Sequence, residues 1–480
     1  MADPQNQRAT QEIAASVQRG DLVSARAQCY AYLESVRDAS RQAPVRIWLG
    51  LIEQRSGRVE AALAQYEIAR QSDRRNPQLI LQLGLAHFAL QHWDESEKYY
   101  RDAIRLEPRL PVAHYNLGIL LQHKRDFSAA RRAFESALVH QPRFPEALNN
   151  LGNVLLALRD AAGAEKCYRQ TIEMRPAFPN AHHALGLMMM RQSRYSDALE
   201  YLRAAVEHNG AFLDAWLDLA ECQAQSGDVV AAKGSVAEVL AREPQHAVAR
   251  FRQAVYEGGE APESVPAELV ERLYAGMAAT FDEHLINRLG YKTPALLAES
   301  IKPWLARFEA TNARKPFVVD LGCGTGLFGL QIRSSASKLV GVDLSASMLE
   351  VARNRGIYDE LLESDLFTYL RAFAESADLI AASDVLIYVG NLAPLFEQIA
   401  MRLAIGGAFV FSTETPDDLA DGLRLQPNGR YAHSTQYVEQ LAALGGLRIS
   451  ERVRTVIRTE NSKAVNGFMF VVEKPLAAMT

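Results

Sequence analysis

A Leu-Gly pair returns every 34 residues along the first half of the chain: Leu49-Gly50, Leu83-Gly84, Leu117-Gly118, Leu151-Gly152 and Leu185-Gly186, with Leu219-Ala220 completing the series. Twelve residues after each Gly or Ala stands a small residue: Ala62, Ser96, Ala130, Ala164, Ala198 and Ala232. Four further on the larger residue is Tyr66, Tyr100, Phe134, Tyr168, Leu202 or Val236. Prolines close four of the units, at Pro108, Pro142, Pro176 and Pro244. A unit this short cannot bury a core by itself, so four columns in phase demand a stack in which neighbours share one.

The columns have a physical reading. The Gly or Ala on a first helix lets a second helix approach closely, and the small residue on the second helix reciprocates. The large residue fills the groove left between them, and proline stops the second helix. This spacing resembles the tetratricopeptide repeat, and the resemblance places six repeats over residues 45–255. Residues 1–44 are expected to cap the array, with 11–38 read as two amphipathic helices around Gly20-Asp21. The resemblance implies an all-α superhelix whose concave face, built by first helices, binds a protein or peptide. Asn116, Asn149, Asn150, Asn153, His182 and His183 fall on those helices. An asparagine amide offers a peptide backbone both donor and acceptor, although a solvated polar face would look the same. The run Met188-Met189-Met190 reads as ordinary packing.

Residues 256–267 (YEGGEAPESVPA) break the helical period and read as a linker. Beyond it, at 268–480, short apolar runs alternate with helical segments. Strands are expected at 317–321, 338–342, 378–382, 408–412, 447–455 and 467–472, with a weaker one at 361–364. Such alternation predicts a doubly wound, mostly parallel α/β sheet. Charge divides with the pattern: residues 1–255 carry 31 Lys+Arg against 29 Asp+Glu, and residues 256–480 carry 21 against 28. Neither half has the clustered cations that a phosphate backbone requires, so nucleic acid is excluded as a partner. Nor is there an apolar run long enough to cross a membrane, or a secretory leader in the first twenty residues. Four scattered cysteines without metal-ligand spacing suggest reduced thiols in a cytoplasmic protein.

Chemistry concentrates in VVDLGCGTGLFGLQI, residues 318–332. An apolar strand ends at Asp320, and Gly322, Cys323, Gly324 and Gly326 turn it into a helix. Glycines there let backbone amides approach a ligand without a Cβ in the way, at the strand end where doubly wound sheets bind ligands. The stretch also contains Gly324-x-Gly326-x-x-Gly329, a dinucleotide pattern. A carboxylate at the strand tip, however, would repel a pyrophosphate and attract an ammonium group. The next strand ends in Asp343, 21 residues after Gly322, where a carboxylate can accept from both hydroxyls of a ribose.

DLGCGTG closely resembles the glycine loop of class I S-adenosylmethionine-dependent methyltransferases, a Rossmann-like fold. FDEHLINRLGYKTP, YDELLESDL, DVLIYVGNL and GRYAHS extend the resemblance over about 270–475, to bacterial methyltransferases carrying tetratricopeptide repeats. The family implies S-adenosyl-L-methionine as cofactor. Asp320 would then hold its ammonium and Gly322, Gly324 and Gly326 its methionine part. Asp343 would hold the ribose, Leu344 and Met348 the adenine faces, and Asp365 and Leu366 the adenine edge. Ser383 and Asp384 would face the sulfonium. Asp365 and Asp384 could equally cap helices or turns, and Cys323 could be a space-filler.

For the acceptor side, RLQPNGRYAHSTQYVEQL is expected to form a loop over the cavity mouth, with His433 as general base and Tyr431 beside it. An N-cap neighbourhood for the following helix is the competing reading. The preceding helices, 274–291, would form a second wall, with Tyr274, Asp282, His284 and Tyr291 as its polar residues and Phe281, Leu285 and Leu289 as packing. The family leaves the acceptor open, so three functions stand. The chain is a methyltransferase on a protein or carrier-bound substrate recruited by the repeats, one on a free small molecule, or an adaptor with a silent cofactor domain.

Overall fold

The computed structural model describes residues 4–258, 261–275, 281–283, 291–460 and 463–476. They form two compact units, Met1–Ser226 and Gly227–Thr480. The first unit opens with the helices Pro4–Gln18 and Leu22–Ser35, joined at Gly20 (φ 79°) and capped by Asp21, whose carboxylate accepts from the Ser24 amide. Helix pairs follow in 34-residue register: Ala39–Arg55 with Val59–Ser72, Pro77–Ala89 with Trp93–Leu106, Pro111–His123 with Phe127–His140, Pro145–Ala157 with Ala161–Met174, and Pro179–Arg191 with Tyr195–His208. Helix Leu213–Gln225 ends the unit.

Close approach at glycine organises each pair. A Cβ placed on Gly118 would stand 2.6 Å from the ring of Phe134, and Gly84, Gly152 and Gly186 meet Tyr100, Tyr168 and Leu202 in the same way. Each turn between paired helices uses one left-handed residue, again 34 apart: Gly57, Gln91, Arg125, Arg159 and Ser193. The aromatic plugs are buried, and Met188 and Met189 join the same continuous core. The polar residues expected on the inner face mostly bond within the array. Asn153 accepts from Tyr168 (2.7 Å), Asn116 donates to its own helix at Val112, Asn150 reaches Tyr115, and His183 meets Asp218 at 2.7 Å. His182 bonds the Pro176 carbonyl, while Oδ1 of buried Asn149 has no partner among the described residues.

The second unit begins with helices Val229–Arg242 and Ala247–Glu257, which pack on each other. Its sheet comprises β1 (Phe317–Leu321), β2 (Lys338–Asp343), β3 (Glu360–Glu363), β4 (Ala377–Ala382), β5 (Leu403–Glu414), β6 (Leu423–Leu425), β7 (Tyr431–His433), β8 (Arg448–Glu460) and β9 (Lys463–Glu473). The order β3-β2-β1-β4-β5 is parallel, while β9 pairs β5 and β8 in antiparallel fashion. Alternate residues of each strand enter opposite layers. Val319, Leu321, Ile380 and Phe409 pack on one face, and Val318, Leu339, Leu379 and Val410 on the other, against Trp304 and Phe328. The strand order reverses between β1 and β4, so Asp320, Asp343 and Asp384 gather beside one crevice.

Three elements differ from expectation. β8 runs past Thr455 to Glu460, carried by a register shift between Val456 and Arg458. Residues 423–425 and 431–433 form strands of three residues each, too short to show a period. The segment read as a linker is partly laid on the sheet domain: Ser264 bridges Val389, the Val265 amide donates to the Tyr388 carbonyl, and the Glu263 carbonyl accepts from Gly390 and Asn391. All four cysteines are buried and unpaired. Among the described residues no helix is long and apolar enough to cross a membrane.

Replacing Gly118 by Ala tests the repeat contact. Driving a methyl group into the buried Phe134 ring costs about 1–3 kcal/mol, more than the helix-propensity gain of about 1 kcal/mol. Urea unfolding of the full chain should therefore show a lower midpoint for the transition of the array.

Candidate active site

A cavity of about 580 Å³ opens at the carboxyl ends of β1, β2 and β4. One end is made by Asp320, Gly322, Cys323, Gly324, Asp343, Leu344, Met348, Asp365 and Leu366. The other is made by Tyr274, Tyr291, Ser383, Asp384, Tyr388, Arg430, Arg458 and Glu460, with Val265, Val270 and Leu273 as apolar wall. Every residue expected to touch a cofactor lines it except Gly326. That glycine (φ 91°) instead turns the chain into helix Leu327–Ile332 and packs beneath Tyr358.

Asp320 is fully buried at the tip of β1. The Tyr358 hydroxyl donates to its Oδ2 at 2.6 Å, whereas Oδ1 has no partner among the described residues. Burial pushes the carboxyl up to about 7, against the pull of the Tyr358 hydrogen bond. A cationic group set against Oδ1 would restore its charge. Asp343 accepts from the Gly324 and Ser345 amides, both at 2.8 Å, so the second strand end holds the glycine loop in place. Gly324 (φ 54°) has nothing within 4 Å of where a Cβ would lie, a backbone cradle open to a ligand. Asp365 caps helix Leu366–Ala372 by accepting from Phe367 and Thr368 through Oδ1, and it also lines the cavity, so its two readings coexist. Burial raises the Cys323 thiol well above its ordinary range, which leaves it unreactive.

His433 and Tyr431 are not in the cavity wall. They lie on β7 rather than on an overhanging loop, and both are fully buried. Nε2 of His433 is 3.0 Å from the Gly390 carbonyl and Nδ1 is enclosed without a partner. Burial brings the imidazole down to about 4. A base must reach the proton it takes, and this ring reaches none in the cavity. The Tyr431 hydroxyl donates to the Pro262 carbonyl, and its ring packs on Phe251 and under Gly390, where a Cβ would be 2.6 Å away. The competing N-cap reading suits this stretch, since Ser434 caps helix Thr435–Leu444.

The acceptor-side residues are brought together by elements far apart in the chain. Arg458, on the extended end of β8 and 2% exposed, donates to Asp384 at 3.0 and 3.1 Å, to Glu460 at 2.6 Å and to Glu414. Arg430 donates to Glu460. Asp384 sits at φ 59°, a left-handed backbone seldom adopted outside glycine, fixed by its backbone N–H donating to the Ser412 hydroxyl at 2.9 Å. Burial raises the Asp384 carboxyl, opposed by Arg458. Tyr274 and Tyr388 share a hydrogen bond, and Tyr291 bonds Ser383 at 3.3 Å. Asp282 ties the preceding helices to the glycine loop, accepting from Thr325 and Arg355. His284, Leu285 and Leu289 lie outside the described residues. Tyr358 opens the stretch YDELLESDL but nothing in its spacing marks it as the partner of Asp320, and Arg458 stands in no motif.

A family model described as a methyltransferase domain matches residues 295–457. Tetratricopeptide-repeat models match residues 47–111, 81–126, 115–182, 149–206 and 189–255. The chain carries tetratricopeptide repeats followed by a class I methyltransferase domain. Such a domain implies S-adenosylmethionine, and the unpaired Asp320 oxygen beside an open glycine cradle fits its amino-acid end. Among curated relatives, a trans-aconitate 2-methyltransferase of Paracidovorax citrulli is 35% identical over 103 residues, 21% of this chain and 39% of that protein. A malonyl-[acyl-carrier protein] O-methyltransferase of Yersinia pestis is 28% identical over 96 residues, covering 20% and 36%. A ubiquinone biosynthesis O-methyltransferase of Coxiella burnetii is 28% identical over 99 residues, covering 20% and 42%. The match thus spans well under half the length of each of these relatives.

Two predictions concern the cofactor end. In the empty site Asp320 is protonated below pH of about 7, and an ammonium-bearing ligand requires the carboxylate. Calorimetric affinity for S-adenosylmethionine should therefore fall as pH drops below about 7, by up to about tenfold per unit, and level off above it. Asp320→Asn should flatten that dependence. Asp343→Ala should weaken cofactor binding by roughly 1–3 kcal/mol, the scale of a lost charged hydrogen bond.

Proposed function

We propose that the chain is an S-adenosylmethionine-dependent methyltransferase whose repeats recruit a protein or carrier-bound acceptor. One observation carries the reading: a single cavity joins the glycine cradle, with Asp320 and Asp343, to a polar end built by Ser383, Asp384, Tyr388, Arg430 and Arg458. In-line methyl transfer needs donor and nucleophile held together with water kept out. Asp320 would hold the ammonium, Asp343 the ribose, and Leu344, Met348 and Leu366 the adenine. Recruitment is supported by the repeat type, by the buried, unpartnered Oδ1 of Asn149, and by a relative named for a carrier-bound acceptor. A free small acid is the second reading, favoured by the trans-aconitate relative.

Incubating the full chain with methyl-tritiated S-adenosylmethionine and fractionated cell extract should put label into macromolecular fractions. Label confined to small molecules would favour the second reading. Failure of calorimetry to detect cofactor binding would leave only an adaptor.

A further inference from the structure

The polar end of the cavity has an uneven stock of hydrogen-bonding capacity. Two carboxylates line it, Asp384 and Glu460, and each faces a guanidinium that also lines it. Asp384 receives Nη1 of Arg458 on both oxygens, and Oε1 of Glu460 receives both Arg458 and Arg430. Behind them Glu414 is held by Arg458 and Gln426. What remains is mostly donor. Among the described residues, Nη1 of Arg430 is engaged and Nε and Nη2 have no partner. In the Tyr274–Tyr388 pair one hydroxyl donates to the other, which leaves one O–H without an acceptor among the described residues, and the Tyr291–Ser383 pair leaves another. Burial keeps the Tyr274 and Tyr291 phenols protonated, so these remain donors.

Among the described residues the same end has no free imidazole: His433, the side chain best suited to take a proton near neutral pH, is buried within β7. Among the described residues a hydroxyl or ammonium nucleophile would give its proton to Asp384, both of whose oxygens face Arg458, or to Glu460, whose Oε1 already receives two guanidiniums. A nucleophile that arrives without a proton, bearing lone pairs and negative charge, suits the donors instead.

We propose that the acceptor is a carboxylate, bound through Arg430 with the Tyr274–Tyr388 hydroxyl pair, and that the product is a methyl ester. The proposal rests on the methyl-transfer reading above and names its substrate class. One carboxylate oxygen forms the bond to the methyl carbon while that carbon's bond to sulfur breaks. The sulfur keeps the electron pair, and no proton moves. A positive sulfonium and a negative carboxylate become a neutral thioether and a neutral ester, a change that a cavity screened from water favours.

Alkali lability decides the product class. Methyl esters release volatile methanol in mild base, whereas methyl groups on nitrogen, thioether sulfur or ether oxygen do not. Products labelled by the full chain from methyl-tritiated S-adenosylmethionine in cell extract should release volatile label. Arg430→Gln should cut that label by about 10–100-fold, the effect of removing a charge-assisted hydrogen bond. Arg430→Lys should recover part of it, and S-adenosylmethionine affinity should stay within about twofold in both, which also reports that they fold. A readout without turnover uses hexanoate and hexanamide as probes of protein saturated with S-adenosylhomocysteine: hexanoate should bind more tightly, and Arg430→Gln should erase the difference. Label stable to alkali, label undiminished in Arg430→Gln, or equal binding of acid and amide would overturn the carboxylate assignment while leaving methyl transfer intact. Loss of cofactor binding by the wild-type chain would overturn methyl transfer itself.

Discussion

One uncompensated carboxylate governs the second unit. Asp320 is taken out of water at the end of a parallel strand, given a single phenolic donor, and left with an oxygen that nothing in the described chain satisfies. Such a group raises the free energy of the empty protein. It is tolerated because the surrounding layers are well packed: Val318 and Val319 on its own strand are fully buried, and Tyr358 is wedged against Gly329 and Gly341. The free energy withheld in the empty state becomes available when a cation arrives, so binding and strand architecture are one problem.

Much of this could be read along the chain. The repeat pairs follow from a 34-residue comb because the contact that makes them, a ring against a glycine, lies within one unit and recurs. Asp320 and Asp343 were visible for a related reason, since an acidic residue closing an apolar strand beside glycines has few structural roles. The left-handed turns were less legible. Only Gly57 advertises them, and the other four positions hold Gln91, Arg125, Arg159 and Ser193, whose strain is covered by the packing on either side.

What escaped was set by distant pairings. His433 has the residue type of a base and stands after a turn, but one bond of β7 to the end of β5 moves it inward. Arg458 reaches the site only because β8 continues beyond Thr455 on the scaffold of β9, past a shift in register. Neither event leaves a local period or spacing. Composition did not help either: the acidic balance of residues 256–480 conceals two guanidiniums at the cavity.

The stretch from Ala261 to Val265 looks like a tether by composition, yet three backbone bonds and a bridge fasten it to residues 388–391, and Phe251 just upstream is sealed against Tyr431. It therefore behaves as masonry rather than rope. Lengthening or shortening it would reshape the chamber instead of altering reach, so any chimera that grafts another module onto this catalytic unit should be spliced upstream of helix Val229–Arg242, where the graft leaves both that helix pair and the seal intact.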